Sequence, residues 1–396
     1  MTKRAYKERL YPTAEQAVLL AQSFGCARFV WNNTLAFRTE AYQQHGESVS
    51  HSAAEKRLVD LKVEYPWLKE VSSVILQQTL RDQKAAFDNF FNPKLRARYP
   101  RFKKKEGRQS IRLTKAAFRY RDGEITIAKS TVALPIRWSR PLPSAPSSIT
   151  ISRDRAGRYF ISCLCEVTPE ALSITPNMVG IDLGLTDLFI TSEGEKSGNP
   201  RHFKRYEAKL AFLQRRLAKK RKGSNNRQKY RQKVARLHAK IADCRRDAIH
   251  KATRTLINDN QVLCVESLNI TGMVKNRHLA KAISDAGWGE FVRQLEYKAA
   301  WAGRQVVKVS QWLPSSKVCH GCGHQVEKLP LSQRHWHCEG CGQPIDRDIN
   351  AAKNIQTAGL ICFDLSRLAR TSHVAPLDCR HLEAEQDRAD CDGGSC

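Results

Sequence analysis

Two short cysteine motifs constrain this chain more than any other feature. Cys319/Cys322 and Cys338/Cys341 each read Cys-x-x-Cys-Gly, and fifteen residues lie between the two pairs. Four thiolates at this spacing can close a tetrahedral zinc site of the zinc-ribbon kind, with no open position, so one zinc with a structural role is expected. A segment this short carries too few apolar residues for a core of its own, and metal replaces it. A redox role fits less well, because the pairs match each other and no βαβ pattern surrounds either. Two acids, Asp346 and Asp348, follow the second pair and lead into the Ala-rich run Asn350-Ala351-Ala352.

The rest of the chain is long enough for two to three domains and, at 41% hydrophobic residues, can bury a sizeable core. Lys plus Arg number 67 against 39 Asp plus Glu, a formal charge of +28. Such a balance points to a polyanionic partner, nucleic acid first. A membrane is excluded as the alternative, since no apolar run approaches the ~20 residues of a spanning helix. The start, MTKRAYKERLYP, has no apolar signal segment, so a cytoplasmic protein with reduced thiols is expected.

Residues 3–11 alternate and read as a strand. Thr13 with Gln16 forms a capping box that opens a helical region, and Ser52 with Glu55 offers a second. Residues 13–96 therefore read as a helical subdomain. Arg101, Lys103, Lys104 and Lys105 cluster around Phe102 and suit a phosphate backbone. Alternating segments and the turns Asp122-Gly123 and Ala156-Gly157 then predict a small antiparallel β-barrel over 97–173, completed by 1–12. Residues 201–250 carry eighteen Lys and Arg against three acids along one narrow apolar seam, which predicts a cationic helical hairpin. Arg215, Arg216, Lys219, Lys220, Arg221 and Lys222 are its candidate nucleic-acid contacts.

Two apolar strands each deliver one acid: VGIDLG ends near Asp182 and QVLCVE ends in Glu266. With the basic hairpin between them and an acid ahead of a helix at Asp348, or its rival Asp346, this is the layout of an RNase H-like metallonuclease. Its chemistry needs hard oxygen ligands for two Mg²⁺ ions, which carboxylates supply and thiolates do not.

The motifs KERLYPTAEQ, CARFVWNNTL, PRFKKK, VGIDLGL, VESLNI, PSSKVCHGCG and CEGCGQPIDRDINAAKNI together resemble the TnpB family, transposon-encoded RNA-guided nucleases of bacteria and archaea related to type V CRISPR effectors. The resemblance implies a RuvC-like Asp–Glu–Asp triad, whose matching positions are Asp182, Glu266 and the Asp of D-x-N-A-A, Asp348. It further implies a guide RNA from the transposon end, double-stranded target DNA, and a monomer acting with its RNA. The expected architecture is α+β and multidomain. A wedge-like barrel (1–12, 97–173) carries an inserted recognition subdomain (13–96). A RuvC-like nuclease domain (174–370) contains the basic hairpin (201–250) and a zinc ribbon (315–345). A disordered tail occupies 371–396. The alternative is a non-catalytic DNA- and RNA-binding regulator of transposition, which shares the charge and the zinc lobe but does not need three acids.

Overall fold

The computed structural model describes residues 2–330 and 332–371. The tail read as disordered lies outside the described residues beyond Thr371. The chain folds as two compact units, Met1–Thr168 with Arg216–Arg236, and Pro169–Arg215 with Leu237 onward.

The first unit begins with strand β1 (Thr2–Leu10), then helices α1 (Ala14–His45), α2 (His51–Glu64) and α3 (Ser73–Phe91). Thr13 caps α1 through the expected capping box: its side chain accepts from the Gln16 N–H while the Gln16 side chain accepts from the Thr13 N–H. For α2 the cap is Ser50, which accepts from the Ala53 N–H, two residues before the Ser52 the sequence suggested. Leu58, Leu61, Leu68, Leu76 and Leu80 close a small core among these helices with Val30 of α1.

Strands β2 (Gln109–Thr114), β3 (Phe118–Arg121), β4 (Glu124–Ile127), β5 (Ile136–Arg137), β6 (Ser148–Arg153) and β7 (Tyr159–Val167) follow. The order β2-β6-β7-β1-β5 makes one antiparallel sheet, and β3-β4 a separate hairpin. Asp122 (φ 51°) and Gly123 (φ 81°) both take positive φ at that hairpin's turn, the requirement that made Asp-Gly readable. Inward residues of both sheets (Ile111, Leu113, Ile125, Ile149, Ile151, Ile161) share a core with Leu20 and Phe24 of α1.

The second unit holds strands β8 (Met178–Asp182) and β9 (Ile190–Thr191). Helices α4 (His202–Ala218) and α5 (Asn225–Asp259) occupy the segment read as a hairpin, and α5 runs on to Asp259. Its tip, Arg216–Arg236, belongs to the first unit; there Arg231 and Gln232 line a cleft with Lys105 and Arg153. Strand β10 (Val262–Glu266), helices α6 (Ile270–Met273), α7 (Ala280–Ala286) and α8 (Trp288–Ala302), and strand β11 (Gln305–Val309) follow. The zinc-motif region contributes β12 (His335–His337) and β13 (Pro344–Asp346), and α9 (Arg347–Thr371) comes last.

The sheet order is β11-β10-β8-β9, with β8, β10 and β11 parallel and β9 antiparallel to β8. Helices cover both faces of its parallel part, which explains the near-continuous apolar runs. Because side chains alternate along a strand, the two faces can be assigned residue by residue. Val179, Ile181, Leu263 and Val265 face a core with α5, α7 and α8. Val262, Cys264 and Val309 face Ile355 of α9. Gly180, Asp182 and Glu266 therefore lie on the α9 side.

Helix α9 approaches that face most closely at two glycines. A Cβ on Gly180 would sit 1.9 Å from the Ala352 carbonyl oxygen and 2.7 Å from the Gln356 nitrogen, and one on Gly359 would sit 2.3 Å from Cys264 Sγ. Backbone cannot yield as a flexible side chain can. Gly180→Ala should therefore destabilise the protein by about 1–3 kcal/mol or more, the usual range for overpacking. Denaturant melts of the two proteins measure it, and an unchanged midpoint would contradict so close a packing.

Candidate active site and metal centre

Asp182 and Glu266 stand side by side at the carboxyl edge of the parallel sheet. Ile181 pairs with Val265 and Glu266 pairs with Val309, so the two acids end neighbouring strands at one level. Strands in a ladder lie about 4.8 Å apart, which forces the two carboxylates close together. Both are largely withdrawn from water. Burial pushes the Asp182 carboxyl up to about 6, and the nearby charge of Asp348 adds to the rise. Burial likewise pushes Glu266 up to about 7, with the Asp182 charge second. Two like charges in a poorly solvated place cost free energy unless a cation joins them.

The third acid comes from α9, whose N-terminus lies over this edge. Asp346 and Asp348 do different things there. Asp346 Oδ1 accepts from the N–H groups of Asp348 (3.0 Å) and Ile349 (3.2 Å), a helix cap, while its Oδ2 takes the Lys196 ammonium at 2.7 Å. Burial would raise the Asp346 carboxyl, but the Lys196 hydrogen bond and backbone donors outweigh it and hold it below the usual range. Asp348 instead faces Asp182, and one Arg334 nitrogen donates to both its oxygens at 2.9 and 3.2 Å. Asp348 is 18% exposed and Arg334 51%, so the arginine covers the acid from the solvent side. Carboxylates are hard-oxygen donors of the type a divalent cation such as Mg²⁺ prefers, and among the described residues these three are less tightly gathered than the four cysteines.

The four cysteines are drawn together tightly. Their sulfurs all lie within 4.8 Å of one another, with Cys319 to Cys341 at 3.8 Å and Cys322 to Cys338 at 3.5 Å. Tetrahedral zinc with bonds of about 2.3 Å sets sulfurs about 3.8 Å apart, so these positions fit the ion. Both knuckles use the same turn. The Gly323 N–H donates to the Cys319 carbonyl and the Cys319 N–H to that of His324; Gly342, Cys338 and Gln343 repeat the pattern. Gly323 (φ 77°) and Gly342 (φ 70°) sit where an L side chain would be strained, hence the glycine after each motif. Among the described residues this is the one group of three or more Cys, His, Asp or Glu gathered so closely.

The lobe is tied to α9. Asn350 and Asn354, one helical turn apart, both donate to the carbonyls of Ser315 and Val318; Asn350 Oδ1 accepts from the His320 N–H. Arg347 donates to the Pro330 carbonyl at 2.8 Å. Sequence reasoning missed Arg334, Lys196 and Asn354. The pair Asn350/Asn354 at i,i+4 was the available signal, since that spacing puts both on one helix face. Arg334 and Lys196 had none, because their partners are set by tertiary folding.

The candidate nucleic-acid residues are surface groups. Arg101, Lys104, Lys105, Arg215, Arg216, Lys219, Arg221 and Lys222 are exposed, and Lys220 is half-buried. Lys103 makes contacts within the fold: its ammonium lies 3.8 Å from the centre of the Trp31 ring, and its N–H donates to Asn32 Oδ1. Lys220 leans on Tyr230 at 5.5 Å.

Three family models match parts of the chain. The OrfB/IS605 model, described as "Probable transposase", matches residues 162–277; "Cas12f1-like, TNB domain" matches 288–355; and a "Helix-turn-helix domain" matches 1–47. Across the last span the chain forms strand β1 and the single long helix α1. A Streptomyces pristinaespiralis protein named "Putative RNA-guided DNA endonuclease" is 49% identical over 93% of each chain. An Escherichia coli K12 protein, "Putative RNA-guided DNA endonuclease InsQ", is 33% identical over 95% of this chain and 98% of its own. Among solved structures, the protein of a Cas12f1–sgRNA–target DNA complex superposes with a TM-score of 0.55 at 14% identity, over 90% of this chain and 98% of that one, so the two share a fold.

The raised carboxyls have a stability consequence of fixed sign. In the fold Asp182 titrates near 6 against 3.8 when unperturbed. Its charge opposes folding above pH 6, and that penalty fades as pH falls from 6 toward 4. In protein without added divalent ions, Asp182→Asn should thus melt higher than wild type at pH 8. The gain should shrink toward pH 5.5. Equal melting temperatures at pH 8 would contradict a repulsive site.

Proposed function

Because this chain belongs to the TnpB family, we propose that it is an RNA-guided DNA endonuclease that hydrolyses phosphodiester bonds at Asp182, Glu266 and Asp348. The observation that carries this reading is the mutual repulsion of these three acids at one sheet edge, Asp182 feeling Asp348 and Glu266 feeling Asp182. Asp182, Glu266 and Asp348 are the residues that would hold Mg²⁺, which when bound would supply Lewis acidity for phosphodiester hydrolysis. Asp182 and Glu266 form the rigid floor of the site, since their strands are packed on both faces. Asp348 closes it from the start of α9. Asp346 is the cap that holds this helix start in place, and the choice of Asp348 over Asp346 rests on that division of labour. Arg334 neutralises Asp348 before substrate enters and stands where it can pair with a phosphate afterwards. The guide RNA and target DNA lie along cationic surfaces, the 101–105 segment and the α4–α5 hairpin. Zinc in the four-cysteine lobe is structural and keeps Arg334 and α9 in register.

Three outcomes follow. Asp182→Ala should abolish Mg²⁺-dependent cleavage of a guide-matched DNA while guide RNA still binds. Cleavage by that variant would overturn the assignment, whereas no cleavage by wild type with any copurified guide would favour the non-catalytic regulator. The Mg²⁺ concentration giving half-maximal cleavage should rise as pH falls, by about tenfold per unit between pH 7 and 6, as protons reclaim Glu266 and then Asp182. A pH-independent midpoint would show that these carboxyls are not the ligands. Finally, Cys338→Ser should lose the bound zinc by elemental analysis and lower cleavage, because the lobe carries Arg334. Full activity in zinc-free protein would uncouple lobe from site.

A further inference from the structure

Past β11 the chain makes a feature that the cutting chemistry does not use. Val309 is level with Glu266, so Ser310, Gln311 and Trp312 run over the same carboxyl edge as the acids. The turn is held firmly. The Trp312 N–H donates to Ser310 Oγ at 3.2 Å, the Leu313 N–H donates to the Ser310 carbonyl, and the Leu313 side chain packs into the α9-side core. The Trp312 ring nevertheless stays 76% exposed. It lines a cleft of about 500 Å³ together with Glu266, Asn269, Arg293, Lys308 and Gln311. The two cations already have partners: Arg293 is gripped by both oxygens of Glu290, and Lys308 pairs with Glu296. The cleft therefore offers little net charge to a phosphate. It offers one large aromatic face, the amide of Asn269 held by the Gly272 N–H, and a floor acid of the proposed cutting site.

We propose that Trp312 is a stacking subsite for one nucleobase of the strand being cut, next to the phosphate held over Asp182 and Glu266. The inference rests on the nuclease reading of those acids. A nuclease whose guide chooses the sequence must accept any base beside the scissile bond. Stacking permits that, since every base has a π-face, whereas hydrogen-bond readout would not. The rigid turn lowers the ordering cost of seating the strand, and the seated base fixes the phosphate on the carboxylates.

The test is single-turnover cleavage by the purified protein–guide RNA complex of wild type, Trp312→Ala and Trp312→Phe. The substrates are matched target duplexes with a single abasic site walked along each strand. Trp312→Ala should cut intact DNA about 5- to 150-fold more slowly, the loss expected for one base–aromatic stack. Trp312→Phe should stay within a few-fold of wild type. Wild type should be slowed by a similar factor when the abasic site falls at one or two positions beside the cut, and Trp312→Ala should not be slowed further there. Wild-type cutting rates in Trp312→Ala, or abasic penalties that multiply with the substitution, overturn the stacking subsite and leave the nuclease reading standing. No cleavage by wild type overturns both. Guide RNA binding and melting temperature of each variant separate misfolding from a lost stack. Should Trp312→Ala not fold, Trp312→Phe must retain the positional abasic penalty, and its absence overturns the inference.

Discussion

The contact on which the second unit depends is that of α9 against the sheet, backbone to backbone. Gly180 and Gly359 carry no side chain at the two closest approaches of helix and strands, and a methyl group at either would collide with a carbonyl oxygen or a buried cysteine. So close an approach fixes the helix along its length. It brings the start of α9 over the ends of β8 and β10, and so brings Asp348 to Asp182. It also anchors the zinc-motif lobe, because Asn350 and Asn354 hold the lobe's carbonyls from the same helix.

A site built this way is strained electrostatically by design of the fold. Asp182 and Glu266 share a place where burial already disfavours charge, and the charge of Asp348 adds to the repulsion at Asp182. Arg347 and Arg334 offset part of this repulsion, with Arg334 paired to Asp348, while Lys196 pairs with Asp346. Asp346, held by Lys196 and by two backbone N–H groups, serves as a helix cap, which leaves Asp182, Glu266 and Asp348 as the proposed cation ligands. Stability and the proposed metal-binding role pull in opposite directions at Asp182.

Much of this was legible in the sequence for physical reasons. The cysteine spacing encodes a turn, and the positive φ of Gly323 and Gly342 is the same constraint seen in three dimensions. Thr13 and Gln16 encode a local cap, and Asp122-Gly123 a local turn. The strands bearing Asp182 and Glu266 are apolar because both faces are covered. What could not be read was non-local. That Ser50 rather than Ser52 caps α2 depends on where the helix packs. That the hairpin tip belongs with the first unit depends on its neighbours in space. The partners Arg334–Asp348 and Lys196–Asp346 lie 14 and 150 residues apart, and no period or motif links them. The sequence left Asp346 and Asp348 as rivals by spacing alone, and hydrogen bonding separates their roles.

The central claim is that Asp182, Glu266 and Asp348 together hold the catalytic metal. Anomalous scattering from Mn²⁺ in crystals of the protein–guide RNA–target DNA complex tests it most directly. The account predicts peaks within bonding distance of all three carboxylates, with Asp346 still on Lys196 and the helix start. Peaks ligated by Asp346 in place of Asp348, or none at the ends of β8 and β10, would contradict it.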